Sequence, residues 1–193
     1  MPLQVEIYAA GGIGIGVVAH SGHLRDALDA GADLALQRAI WHPLDDASPR
    51  DVGELIIPPD DIHLATSEDA EDFPVHAQWH DILLDVGPYR VSGQMPTMPG
   101  FDPGRALARP TGEFVQLRDV SIGLVGEADG TDLNRTMALV NRYMVDRVEA
   151  DLMLGFFFPG ATMVSTSGSE SVPPAAPAPA ASEPAVTPPV AAP

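Results

Sequence analysis

Val5-Glu6-Ile7-Tyr8-Ala9-Ala10-Gly11-Gly12-Ile13-Gly14-Ile15-Gly16-Val17 is the stretch on which the fold turns. Val5–Ala9 has the composition of a strand, the glycines make a turn, and Ile13-x-Ile15-x-Val17 alternates with the period of a half-buried strand. A phosphate-binding loop would instead need a helix after the glycines, with its N-terminus facing the anion. Here Val17-Val18-Ala19 continue the strand pattern and no Lys follows. A glycine-rich turn and strand that allow close packing is the reading the residues favour.

The same order recurs downstream. A shift of 76 residues sets Gly11-Gly12-Ile13-Gly14-Ile15 against Gly87-Pro88-Tyr89-Arg90-Val91. A shift of 81 sets Leu36–Trp41 against Leu117–Ile122, and one of 83 sets Ile56–Ile62 against Leu139–Val145. Order kept with a slowly growing shift is what small loop insertions in an internal repeat produce.

Each half reads as five short strands and one short helix. The strands expected in the first half are Val5–Ala9, Ile13–Val17, Leu34–Trp41, Glu54–Ile57 and Ile62–Ala65. Those of the second are Ile82–Val86, Tyr89–Val91, Phe114–Leu124, Met137–Val140 and Met144–Glu149. In each half the last two strands read as the arms of a tight hairpin, around Pro58-Pro59-Asp60-Asp61 and around Asn141-Arg142. The first helix follows Ser21 as N-cap, buries Leu24, Ala27 and Leu28 on one face and stops at Gly31. The second starts at Asp102-Pro103 and ends at Pro110.

Five short strands keep an apolar face dry by curling. The fold class expected is therefore mainly β: two tandem five-stranded β-barrels, residues 1–66 and 81–158, joined by an acidic linker at 67–80. Residues 159–193 hold nine Pro, much Ala and Ser, and no aromatic residue. That composition predicts a disordered tail.

Ile82-Leu83-Leu84-Asp85-Val86-Gly87-Pro88-Tyr89-Arg90-Val91-Ser92-Gly93 and Leu139-Val140-Asn141-Arg142-Tyr143-Met144-Val145-Asp146-Arg147-Val148 resemble the Sm-like barrel pattern. The resemblance covers about 65 residues. It implies a late turn that binds RNA, which would fall at Asn141 and Arg142, although the family's glycine after the basic residue is missing. In the first half Pro58-Pro59-Asp60-Asp61 would repel RNA. The chain as a whole also resembles the uncharacterised proteins of high-GC bacterial genomes.

Charge narrows the function classes. Ten basic residues, all Arg, face 27 acidic ones, for a net charge of −17. Residues 1–76 carry −11 of it, 77–158 carry −4, and the tail −2. Such a surface disfavours general nucleic-acid binding and docking on anionic membranes. The Arg-richer second half suits association with the acidic first half of another copy. No window reaches the length of a membrane span, and the N-terminus lacks the features of a signal peptide, so a cytoplasmic location is expected.

Chemistry-bearing motifs are sparse. There is no Cys and no Gly-x-Ser-x-Gly, so no catalytic residue and no cofactor is assigned. His20 and His23, three apart, could share a metal with His42 or Asp26. Asp45-Asp46, Asp60-Asp61 and the Glu68–Asp72 run lack the spacing of a calcium loop. Phe156, Phe157 and Phe158 cannot all point inward on a strand of period two, which makes them a candidate contact surface. The expectation is a non-enzymatic scaffold or interaction module, self-associating or binding a protein partner. A His-based metal or small-ligand protein and an Sm-like RNA binder are the alternatives.

Overall fold

The computed structural model describes residues 2–20, 22–45, 47–68, 73–100, 112–127, 132–151, 154 and 157–165. The expected second helix at 102–110, Ser21, Phe156 and all of the tail beyond residue 165 lie outside them.

Among the described residues, eleven strands form a single open sheet. They are β1 (Leu3–Ala9), β2 (Gly12–Val18), β3 (Leu34–Pro43), β4 (Arg50–Ile57), β5 (Ile62–Ser67), β6 (Gln78–Val86), β7 (Tyr89–Thr97), β8 (Phe114–Leu124), β9 (Leu133–Asn141), β10 (Val145–Ala150) and β11 (Thr162–Ser165). Their order across the sheet is β11-β10-β6-β7-β8-β9-β5-β1-β2-β3-β4. Helix α1 (Leu24–Asp29) buries Leu24, Ala27 and Leu28, the face expected, and begins at His23, whose N–H donates to the Asp26 carboxylate at 3.3 Å.

Within this sheet β5-β1-β2-β3-β4 and β10-β6-β7-β8-β9 follow the same order, all antiparallel. Register aligns them closely. An offset of 77, one more than the sequence match suggested, carries the Ala9–Gly12 pair onto the Val86–Tyr89 pair. An offset of 81 carries Arg38 onto Asp119; both sit in a bulge of the third strand, at φ 52° and 50°. They are the only non-glycine residues at positive φ among those described. An offset of 83 carries the bulge residue His63, skipped between Ile62 and Leu64, onto Asp146, skipped between Val145 and Arg147.

Two expectations are corrected here. The sheet does not close into two barrels. To close the first, β5 would have to meet β4, but its outer edge is taken by β9, through Leu64–Val140 and Ala65–Leu139. In the second half β11 occupies the matching edge of β10. Nor do β4 and β5 form a hairpin. A 3-10 turn at Pro59–Asp61 sends the chain across to β1, and the Asn141–Met144 turn likewise sends β9 away from β10. Turn-type residues signal a reversal but do not say which strand receives the chain.

The apolar residues gather in two cores. Alternation decides membership. On β1, Leu3, Val5 and Ile7 enter one core and Tyr8 the other. On β9, Ala138 and Val140 face one, Met137 and Leu139 the other. Strands β5 and β9, at the junction, are therefore apolar on both faces, as central strands are.

The glycine-rich stretch is a strand with its glycine face covered. A side chain at Gly12 or Gly14 would meet Trp41 or Leu55, and one at Gly16 would meet Leu36 and the carbonyl of Gln37 at 3.0 Å. Close packing, rather than a phosphate cradle, accounts for Gly12-x-Gly14-x-Gly16.

Candidate interaction surface

The junction between the halves shows what this protein uses to hold one unit against the next. Only two residue pairs link β5 to β9. Beyond them the strands part, leaving a groove of about 420 Å³ lined by Gln4, Glu6, Thr66, Ser67, Asn134 and Arg135. At its base the Arg135 guanidinium donates twice to the Glu6 carboxylate, both at 2.8 Å. Tyr8 and Thr66 hydroxyls donate to the same carboxylate at 2.9 and 3.1 Å.

Burial by itself would raise the Glu6 pKa, but these hydrogen bonds and the Arg135 charge outweigh it and hold the carboxyl below its usual range. A carboxylate with a lowered folded pKa adds stability above its unfolded pKa and loses it as the pH falls through the folded value. Glu6→Gln is therefore expected to flatten the acid limb of a plot of Tm against pH. Circular-dichroism melts between about pH 3 and pH 7 read this directly. Arg135→Met, which strands the carboxylate, is expected to cost about 1–2 kcal/mol at neutral pH, below the figure for a fully buried pair because the groove admits water.

A second lock joins the two first turns. The Tyr89 hydroxyl, at the start of β7, lies 2.7 Å from the Ala9 carbonyl oxygen and 3.0 Å from that of Gly12, and donates to this pair of acceptors. Its ring meets Tyr8 edge-on at 5.3 Å and His63 at 6.3 Å. Burial pushes the pKa of both tyrosine hydroxyls up, so both stay protonated donors. Gly87, at φ 55°, lets His63 pack against the β6–β7 turn, and its N–H is bound by Asp146 at 3.1 Å.

The residues singled out in the sequence fall elsewhere. Phe158 is a core residue, 1% exposed, and Phe157 is half-buried against the same core. A turn at 157–160, rather than a strand, carries Phe158 inward. Asn141 and Arg142 are buried too; Arg142 is 3% exposed, its N–H bound to the Glu113 carbonyl at 2.9 Å. His20 and His23 lie beside the start of α1 and His42 lies on β3, opposite Ile13. Among the described residues no three His, Cys, Asp or Glu side chains gather to hold a metal. No helix among them is long and apolar enough to cross a membrane.

What sequence reasoning missed is the edge at β4. Among the described residues it pairs only with β3, and Val52 and Ile56 are exposed large apolar residues on it. The offset of 83 carries Ile56 onto Leu139 and Ile57 onto Val140, the residues with which β9 grips β5. Leu139 is 0% exposed; Ile56 is 58% exposed. The signal was present in the Ile56–Leu139 match itself, but reading it requires knowing that Leu139 is covered.

Charge does less than expected. Asp51, Glu54, Asp60 and Asp61 are exposed around β4. At the opposite end Arg90 pairs with Asp85 at 2.9 Å and Arg147 with Glu149 at 3.0 Å, so much of that positive charge is already met within the half.

Comparison with protein-family models, curated proteins and solved structures returned no match for this chain.

Proposed function

We propose that the protein is an internally duplicated β module that works without catalysis as a self-associating scaffold, adding one copy to the next through sheet edges. The observation that carries this is the Ile56–Leu139 correspondence. Within the chain, the fourth strand of the second unit (β9) docks on the fifth strand of the first (β5). The fourth strand of the first unit (β4) has the same place in its unit, and among the described residues no strand lies on its outer edge. The occupant that fits it is a second copy, presenting its β10 end, because β10 holds the place in its unit that β5 holds in the first. An edge strand of eight residues with exposed Val52 and Ile56 is a template for strand addition. The contact joins unlike surfaces, so it is head-to-tail.

Light scattering after size exclusion, over a range of protein concentrations, tests the reading. The mass is expected to rise with concentration. Ile56→Lys, on β4, is expected to weaken association at least about tenfold, since a charge on an edge strand opposes pairing. Val75→Lys, at a still more exposed position off the sheet, is expected to leave it unchanged. A strict monomer at every concentration, or equal loss in the two variants, overturns the proposal.

A further inference from the structure

We infer that β11 is an internal stand-in for the β4 strand of a second copy: it closes the edge of β10 and must be displaced before head-to-tail association proceeds. This rests on the scaffold reading above and adds its regulation. The offset of 83 carries Leu64 and Ala65 of β5 onto Arg147 and Val148 of β10. In the first unit that edge receives Val140 and Leu139. In the second, the same two positions receive Thr162 and Met163. One edge, at matching residues, thus takes another part of the sheet in one unit and the chain's own C-terminal strand in the other.

β11 is built to come away. It has four residues, all partly or fully exposed, against the eight of β4. It is the one parallel strand among those described, and parallel pairing is slightly the weaker kind. Met163 of β11 packs against the core, but the turn before it has anchors of its own. Leu154 and Phe158 are buried in the core, and hydrogen bonds from Phe157 N–H to Leu154 and from Ala161 N–H to Phe158 hold the turn. Residues 162–165 can leave β10 while Phe158 stays seated. No charge and no proline within β11 opposes pairing in place.

The chain has no cysteine, which permits a clean test on the full-length protein. Glu149 and Val164 are register partners on β10 and β11. In the double variant Glu149→Cys/Val164→Cys, oxidation pins β11 to β10 and reduction releases it. Val164→Pro, by contrast, removes a backbone donor and loosens the strand. Sedimentation velocity over a concentration series is the readout.

The Val164→Pro protein is expected to associate about tenfold more tightly than the unaltered chain, because a larger fraction has the edge open. The oxidised double variant is expected to associate more weakly than the same protein reduced. Adding Ile56→Lys to Val164→Pro is expected to abolish the gain. If oxidised and reduced forms associate alike, β11 is no gate, although the scaffold reading survives. If the gain in Val164→Pro persists with Ile56→Lys, the opened edge recruits something other than β4 and the inference fails. If none of these proteins associates, both readings fall together.

Discussion

Phe158→Ala is expected to lower the stability of the protein by about 3–4 kcal/mol, the cost of deleting a fully buried aromatic side chain and leaving a cavity. For a folded unit of this size that is a fall in Tm of roughly 10 °C. Phe158 is 1% exposed and belongs to the core that also holds Leu84, Val91, Val148 and Leu154. It closes that core from the C-terminal side and anchors the turn that leads to β11. Chemical denaturation checks the magnitude. A change below about 1 kcal/mol, the usual range for surface positions, would mean that Phe158 lies on the surface after all. Loss of the anchor should also free β11, so the same variant tests how far the strand depends on the core behind it.

Gly12→Val is expected to destabilise by about 3 kcal/mol, at the upper end for overpacking a close contact. A side chain there meets the carbonyl oxygen of His42 and, at 2.6 Å, the Trp41 ring. Neither yields cheaply: the oxygen belongs to the backbone of β3, and Trp41 is held over the glycine face of β2. Relief would require β2 and β3 to part at the end where Tyr89 grips Ala9 and Gly12. A reduced near-ultraviolet tryptophan signal, together with the lower denaturation midpoint, is the expected measurement. A side chain at Gly31 meets nothing within 4 Å, so Gly31→Ala bears only the strain of its φ of 66° and provides the comparison.

The architecture was legible where local pattern carries it. Phe114–Leu124 appears as a strand with the bounds its composition suggested, and offsets of 81 and 83 hold in the observed register. The buried face of α1 followed from spacing alone. Pairing partners were not legible. Pro58–Asp61 marks a reversal of the chain, but whether Ile62–Ser67 returns to β4 or crosses to β1 depends on side chains distant in sequence. The burial of Phe158 and Arg142 was illegible for a related reason: what covers a residue comes from elsewhere in the chain. β11 lay hidden because four residues of Thr, Met, Val and Ser beside a Pro/Ala-rich stretch carry too little periodicity to stand out. The β4 edge was the least legible part, since an edge is defined by the absence of a neighbour.

The junction of β5 with β9 has a consequence for binding strength. Two β5–β9 residue pairs, one ion pair and the Tyr89 hydroxyl, with cores that take residues from both halves, make up the seam. Inside the chain it suffices, because the segment between Ser67 and Gln78 keeps the two units at an effective local concentration in the millimolar range. A seam of the same construction between separate molecules enjoys no such tether. Its dissociation constant must then be met by real concentration, so assembly would respond to how much protein is present at one place, and crowding copies together would be the natural way to switch it on.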